Sequence, residues 1–319
     1  MLIAARRDER DTTPEDWTRE VETGSFTLRK DVSSSPSKLV VATYNIRYAV
    51  GSFLITGSFL RRVGIKRPKR RGRLIARHLQ QAAQTFSSNR TMPTPDIIAL
   101  QEADKHTRRA AGHNIALELA RLLSMNYAQT MMDFPRDAPV GARKWWLDFE
   151  ERILPDDPGS MGVALLSREQ LIEPQRIDLP LFECAWRPRI AICARVRFGK
   201  NDLHIFNSHI DTHATVRNQL KQHEAVLALA DELPPDTPII ITGDFNTLTD
   251  ESCVEMRRLL ESRGYSTPFP TGTATWRAGL VRLHTDWIFT RNVRALRWGV
   301  ARPLGVSDHW PVWIEITSE

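Results

Sequence analysis

The chain has 319 residues, of which 41% are hydrophobic, 26% charged and 8% aromatic; this excludes a fibrous or wholly disordered protein and is long enough for one large domain or two small ones. Its 44 Lys and Arg outnumber its 38 Asp and Glu, giving +6 at pH 7 and a pI near 9.5, so anionic partners are favoured over basic ones. Three cysteines, Cys184, Cys193 and Cys253, are too few and too irregularly spaced for a disulfide framework or a zinc knuckle, which fits reduced thiols in a cytoplasm-like compartment.

The opening MLIAARRDERDTTPEDW has only a short apolar stretch before charges begin, so neither a signal peptide nor a membrane anchor is expected there. No later window approaches the roughly 18 apolar residues of a spanning helix. Residues 1–37 are polar, end in Ser33-Ser34-Ser35-Pro36-Ser37 and lack periodicity, so they read as a partly ordered arm, with the folded body over 38–319. The run KLVVATYNIRYAV (38–50) is β-branched and aromatic and predicts a buried strand. After it, 51–73 repeats GSFL and then places eight Lys or Arg between Arg61 and Arg73, the mark of an insertion loop rather than a core element.

Apolar spacing at Leu74, Ile75, Leu79, Ala82 and Ala83 predicts a helix over 74–84, and Pro93-Thr94-Pro95 breaks the chain before a strand in DIIALQE (96–102). A second helix is expected over 114–125, then strands at 162–168, 189–198 and 203–210, a long helix over 216–233, and strands at 238–246, 285–290 and 310–316. Between them, 133–160 is polar, dotted with proline and carries Trp145-Trp146, a second insertion that could form a rim or simply decorate the surface. No interior linker divides the body, so a single α/β domain is expected.

Several of these strands end alike. Asn45 follows VVATY, Glu102 follows IIALQ, His209 follows IFNS, Asp244 and Asn246 follow or interrupt IIITG-DFN, and Asp308-His309 precedes WPVWIEI. Singly, each is an ordinary strand-end or turn residue. As a set, carboxylates, amides and two histidines at strand edges are what a sheet can gather into one site.

Taken in order, TYNIR (43–47), LQE (100–102), GVALLSR (162–168), NSHID (207–211), GDFN (243–246), TDWIF (285–289) and SDH (307–309) resemble the endonuclease/exonuclease/phosphatase superfamily, which includes pancreatic-type deoxyribonuclease. The resemblance spans about residues 38–317. It implies a four-layer α/β sandwich, two mixed β-sheets face to face with helices outside, and phosphoester hydrolysis by an activated water at a Mg²⁺ or Mn²⁺ site. Oxygen-rich candidates suit those hard cations, and the absence of clustered Cys and His ligands argues against structural zinc.

Carried onto this chain, the resemblance makes Glu102 the principal metal ligand, with Asn45 orienting the site and Asp308 contributing. Asp244 would position or deprotonate the water, Asn246 would hold the phosphate or the nucleophile, and His309 would face the phosphate with Asp286 on its other ring nitrogen. His209 matches the second active-site histidine of deoxyribonuclease-like members, and Arg189 a rim arginine, with Arg187 close enough to compete for that match. His204, His213, His223 and His284 are read as structural or solvent-facing, and Arg217 and Gln219 as helix-entry residues with solvent contacts.

The 51–73 insertion roots beside Asn45 and so bears on substrate choice. Its cations could bind a nucleic-acid backbone while Phe53 or Phe59 stacks on a base; its apolar repeat could instead touch an anionic phospholipid surface; or it could be a solvated loop without a recognition role. Nucleic acid is the leading substrate, a phospholipid, inositol phosphate or other small phosphate ester the alternative, and a non-catalytic module is disfavoured because every charged position of the expected machinery is occupied. No obligate protein partner is inferred, and the oligomeric state is left open.

Overall fold

In the computed structural model of the chain the described residues are 20–27, 35–52, 70–132, 153, 157–182, 188–302 and 304–318. Two mixed sheets carry the fold. The larger has seven strands in the order β1 (Glu22–Ser25), β4 (Asn126–Met131), β5 (Gly162–Ser167), β3 (Ile97–Gln101), β2 (Lys38–Asn45), β14 (Val312–Thr317), β13 (Arg294–Val300). The smaller has five, β12 (Asp286–Arg291), β9 (Ile239–Asp244), β8 (Asn201–His209), β7 (Ile190–Phe198) and β6 (Ile172–Asp178). Only β2 with β3 and β8 with β9 pair in parallel among these neighbours of the described residues.

The central strands read as unbroken apolar runs because both of their faces are buried. With a period of two, Val41, Ile97, Ala99, Leu165, Ile240 and Ile288 point between the sheets. Their neighbours Ala42, Ile98, Leu100 and Leu166 point the other way, onto α1 (Arg71–Ser87) and α2 (Ile115–Leu123). In the second sheet Ile239, Ile241, Trp287 and Phe289 pack towards α3 (Val216–Asp231) and α4 (Asp250–Ser262). The result is the expected four-layer sandwich, helices outside.

The arm reading of 1–37 needs correction at β1, which pairs antiparallel with β4 and so belongs to the larger sheet. Its sequence, ETGS, has no apolar alternation to reveal it. Tertiary contacts hold it instead: Tyr127 donates its hydroxyl to Glu22 Oε1 at 2.7 Å and Lys105 Nζ lies 2.6 Å from Glu22 Oε2. Gly24 is required there, since a Cβ would meet the Tyr127 ring at 2.4 Å.

Helix α1 begins at Arg71, inside the stretch read as insertion loop. Arginines at a helix N-terminus oppose the macrodipole, and Arg70 caps without a side-chain bond, so the local signal points away from helix. A tertiary bond, Arg71 Nε to the Arg109 carbonyl at 2.6 Å, fixes the first turn. Residues 53–69, with Phe53 and Phe59, lie outside the described residues, as do most of the 133–160 insertion, Cys184 and Arg187. The end of that second insertion is placed: the Asp157 carboxylate accepts the Arg108 N–H at 3.1 and 3.2 Å. No helix of the described residues is long and apolar enough to cross a membrane.

His223 on α3 is buried edge-on against Phe245, ring centroids 4.6 Å apart, and neither nitrogen has a hydrogen-bond partner. Burial lowers its pKa to about 3; His284, stacked on Trp287, is lowered to about 3 by burial and then by Arg257. Above the unfolded value near 6.5 neither ring affects stability; as pH falls, the unfolded chain takes up protons that the folded chain refuses. Stability should therefore drop by about 2 kcal/mol per ring between pH 7 and pH 5. Urea unfolding at both pH values checks this, and His223→Leu should narrow the gap; an equal gap in the variant would remove His223 from the account.

Candidate active site

The site forms where central strands of both sheets end on one edge. Ladder register sets His209 opposite Asp244 and Asp244 opposite Asp286, so three residues far apart in sequence stand side by side across β8, β9 and β12. Asn45 closes β2 in the other sheet, and Glu102 follows β3 with a left-handed backbone, φ +50°. Asn45 joins the two sheets, its Nδ2 donating to Glu102 Oε1 at 3.1 Å and to Asp244 Oδ2 at 2.8 Å. Below it Gln101 Nε2 donates to Asn207 Oδ1 at 2.6 Å, and Asn207 Nδ2 donates to the Leu100 and Ala164 carbonyls, each at 2.9 Å. That buried amide bridge fixes how the two strand edges meet.

Asp244 Oδ2 is the centre of the arrangement. His209 Nε2 lies 3.6 Å from it and His309 Nε2 3.8 Å. Its other oxygen, Oδ1, accepts the Asn246 backbone N–H at 3.0 Å, and Asn246 in turn adopts φ +50° and donates Nδ2 to the Ile210 carbonyl at 2.8 Å. Gly243 before it has φ +141°, and a Cβ would meet the Ser208 carbonyl oxygen at 1.9 Å, so the close strand approach needs glycine.

The two histidines have opposite neighbours. His309 Nδ1 bonds Asp286 Oδ2 at 2.9 Å, and Asp286 is itself held by the Thr285 hydroxyl at 2.8 Å and through its own N–H to Thr275 Oγ1 at 3.0 Å. Arg189 Nη1 instead stands 3.2 Å from His209 Nδ1, with the arginine almost wholly buried. Burial disfavours an imidazolium at His309, but the charges of Asp286 and then Asp244 outweigh it and hold its pKa up at about 10. Asp244 is raised to about 7, chiefly by burial, with His309 pulling it down and Asp286 pushing it up. His309 is thus a cation aimed, through Nε2, at a carboxylate.

Asp308 turns to a different partner, Arg47 Nη1 at 3.1 Å from its Oδ2, while the Ser307 hydroxyl lies 3.3 Å from its Oδ1. Arg47 opens a left-handed turn in which Arg47, Tyr48 and Ala49 have φ of 46°, 41° and 54°. Three such residues in succession are strained and persist only where the surroundings fix them. Here Tyr48 N–H donates to the Glu102 carbonyl at 3.0 Å, His78 Nδ1 meets the Ala49 carbonyl at 2.8 Å, and the Arg109 guanidinium sits 4.1 Å above the Tyr48 ring.

The structure therefore brings His209, Asp244, Asp286, His309, Asn45 and Glu102 into one linked set, with Arg189 joined through His209 and Asn246 through Asp244. The compact donor group, Asp244, Asp286 and His309 within 4.8 Å of one another, shares no member with the expected ligand set Asn45, Glu102 and Asp308. In that expected set Asn45 bridges Glu102 and Asp244 through its amide nitrogen, and Asp308 faces Arg47. Arg47 is the residue sequence reasoning missed, although it stands in the TYNIR motif. Gln219 corrects a second reading: it is buried and donates Nε2 to the Asp211 and Asn246 carbonyls at 3.0 and 3.2 Å.

Donor chemistry bears on a metal. Carboxylates at Glu102, Asp244, Asp286 and Asp308 beside an amide make an oxygen-rich set suited to a hard divalent cation. Cys193 and Cys253 take no part; burial raises the pKa of the Cys193 thiol to about 11, and burial pushes the Cys253 thiol up from its ordinary value. The residues fit the group.

A family model described as the Endonuclease/Exonuclease/phosphatase family matches residues 42–309. No curated protein matches the sequence. Among solved structures, an endonuclease/exonuclease/phosphatase from Beutenbergia cavernae is similar with TM-score 0.59 at 16% identity, over 88% of this chain and 72% of its own. The mannosyl-6-phosphatase of Bacteroides thetaiotaomicron gives TM-score 0.58 at 18% identity, over 88% and 99%. ANGEL2, a 2′,3′-cyclic phosphatase solved with adenosine-2′,3′-vanadate, gives TM-score 0.59 at 12% identity, over 94% and 99%. With the match reaching from β2 to His309 across both sheets and the site between them, the chain belongs to the endonuclease/exonuclease/phosphatase family of phosphoester hydrolases.

Proposed function

We propose that the chain hydrolyses phosphodiester bonds of DNA or RNA with water, in a reaction that needs Mg²⁺ or Mn²⁺. The convergence of two imidazole Nε2 atoms on Asp244 Oδ2, with Glu102 tied to the same oxygen through Asn45, carries this reading. Asp244 orients a water and takes its proton as the water oxygen attacks phosphorus. The bond from phosphorus to the leaving oxygen breaks, and that oxygen takes a proton from His309 Nε2, leaving a phosphomonoester and a hydroxyl. Asp286 holds His309 in place, His209 and Arg189 face the phosphoryl oxygens from the other side, and Asn246 keeps Asp244 turned inward. Glu102 would hold the cation with Asn45 and Asp308 beside it; when bound, it neutralises charge on a phosphoryl oxygen.

Net charge +6, the eight cations of 61–73, of which Arg70 and Arg73 are exposed, and the exposed Arg77 on α1 support a polyanionic substrate. The adenosine compound bound to ANGEL2 is in keeping with it, whereas the mannosyl-6-phosphatase likeness favours a second reading, a small phosphate ester. A panel of single- and double-stranded DNA, RNA, sugar phosphates, inositol phosphates and phospholipids, with Mg²⁺, Mn²⁺ or EDTA, decides between them. Cation-dependent cleavage of an oligonucleotide is expected; turnover confined to a sugar phosphate or lipid would sink the reading. Glu102→Gln should weaken Mg²⁺ binding by about tenfold or more in calorimetry, a measurement independent of turnover.

A further inference from the structure

A short hairpin, β10 (Trp276–Ala278) and β11 (Val281–Leu283), is bonded directly onto the strand-end segment that carries the site. Arg277 N–H donates to the Asp308 carbonyl at 2.9 Å, Trp310 N–H to the Thr275 carbonyl at 2.7 Å, and Trp276 forms an antiparallel bridge with His309. Its register sets Arg277 opposite Arg282, and both are exposed. Like charges directly opposite in an antiparallel pair are destabilising.

A third guanidinium joins them. Arg302 lies 4.7 Å above the Trp310 ring and bonds the Ala274 carbonyl; partial burial, then the charge of Arg282, lower its pKa. Among the described residues no carboxylate forms an ion pair with any of the three. Directly opposite residues of an antiparallel pair share a face, so Arg277 and Arg282 lie on the same side of the hairpin, and Arg302 covers Trp310, whose N–H bonds the Thr275 carbonyl at the base of the hairpin. Three cations without an ion-pair partner among the described residues, on a hairpin and its base bonded to Asp308 and His309, are complementary to an anion that the described fold does not provide.

We infer that Arg277, Arg282 and Arg302 form an accessory phosphate site, which holds a backbone phosphate of a nucleic-acid strand next to the one that is cleaved. This rests on the nucleic-acid reading above and adds where the strand runs. Guanidinium forks match phosphate oxygens in pairs, which suits arginine here better than a point charge would. The hairpin tip also exposes Leu280 completely and Val281 by more than half. Two such side chains offer less apolar contact than one acyl chain, which alone binds a bilayer only marginally, so the charge carries the assignment to nucleic acid.

The test uses the full chain with Mg²⁺ and a short fluorescein-labelled single-stranded oligonucleotide, following kcat and KM across salt concentration. For Arg277→Ser/Arg282→Ser, KM should rise about tenfold while kcat changes less than about twofold, and the slope of log KM against log salt should fall by ~1.4, two phosphate contacts' worth. Arg302→Gln should lower the slope by ~0.7 and serves if the double variant does not fold. Unchanged KM and slope in both, with the wild type cutting the oligonucleotide, overturn the accessory site and leave the nuclease reading standing. A kcat loss matching the KM change marks disturbance of His309 and also counts against it. A wild type that spares the oligonucleotide but turns over a sugar phosphate overturns both, and loss of binding to phosphatidylglycerol vesicles on Leu280→Asp, without oligonucleotide cleavage, gives the hairpin to a membrane instead.

Discussion

Asp244→Asn is expected to lower kcat on the preferred phosphodiester by about 10³-fold or more, with thermal unfolding close to wild type. The amide keeps the size and can still accept the Asn246 N–H, so β9 and its turn should survive. What disappears is the charged oxygen on which His209, His309 and Asn45 converge. Asp286→Asn should cost less, since it weakens only the support behind His309 Nδ1. The effects should not add in the double variant, because Asp244 and the His309 that Asp286 holds serve the two proton transfers of one step. Retained turnover in Asp244→Asn would remove the mechanism.

Asp104→Ala should destabilise the fold by about 3–5 kcal/mol. Asp104 and Arg109 are both buried, joined by Nε to Oδ2 at 2.7 Å and Nη2 to Oδ1 at 2.8 Å, and the Thr107 hydroxyl donates to Asp104 Oδ2 at 2.5 Å. Without its carboxylate the guanidinium keeps the desolvation cost and loses most of the compensation. The same guanidinium covers Tyr48, and Tyr48 sits in the strained turn that aims Arg47 at Asp308. Activity should therefore fall further than stability alone predicts at a temperature where the variant remains folded. Denaturant unfolding and turnover below the transition check both parts; an unchanged midpoint would show that the pair is dispensable.

The central strands were legible because burial on both faces writes a continuous apolar run, as in VVATY, IIALQ and IIITG. Strands at or near the sheet edges were not. Strand β6 carries Pro174 and buries little, β13 is largely exposed, and β1 has no apolar residue at all, so pairing partners rather than their own composition make them strands. Helix α4 was also missed, although Thr249 and Ser252 form a capping box there; its buried face rests mainly on Cys253, Met256 and Leu260.

By itself the sequence determined the chemical inventory: which strand ends carry carboxylate, amide and imidazole, in an order that fits one family of hydrolases. Tertiary structure alone decided how those groups meet. Ladder register aligns His209, Asp244 and Asp286, Asn45 spans the gap between sheets, and the charges of Asp286 and Asp244, outweighing burial, fix the charge of His309. It also placed Arg47 on Asp308 and two arginines face to face on a hairpin. Residue type is local, whereas position, desolvation and the sign of the nearest charge are sums over neighbours that only the folded chain supplies.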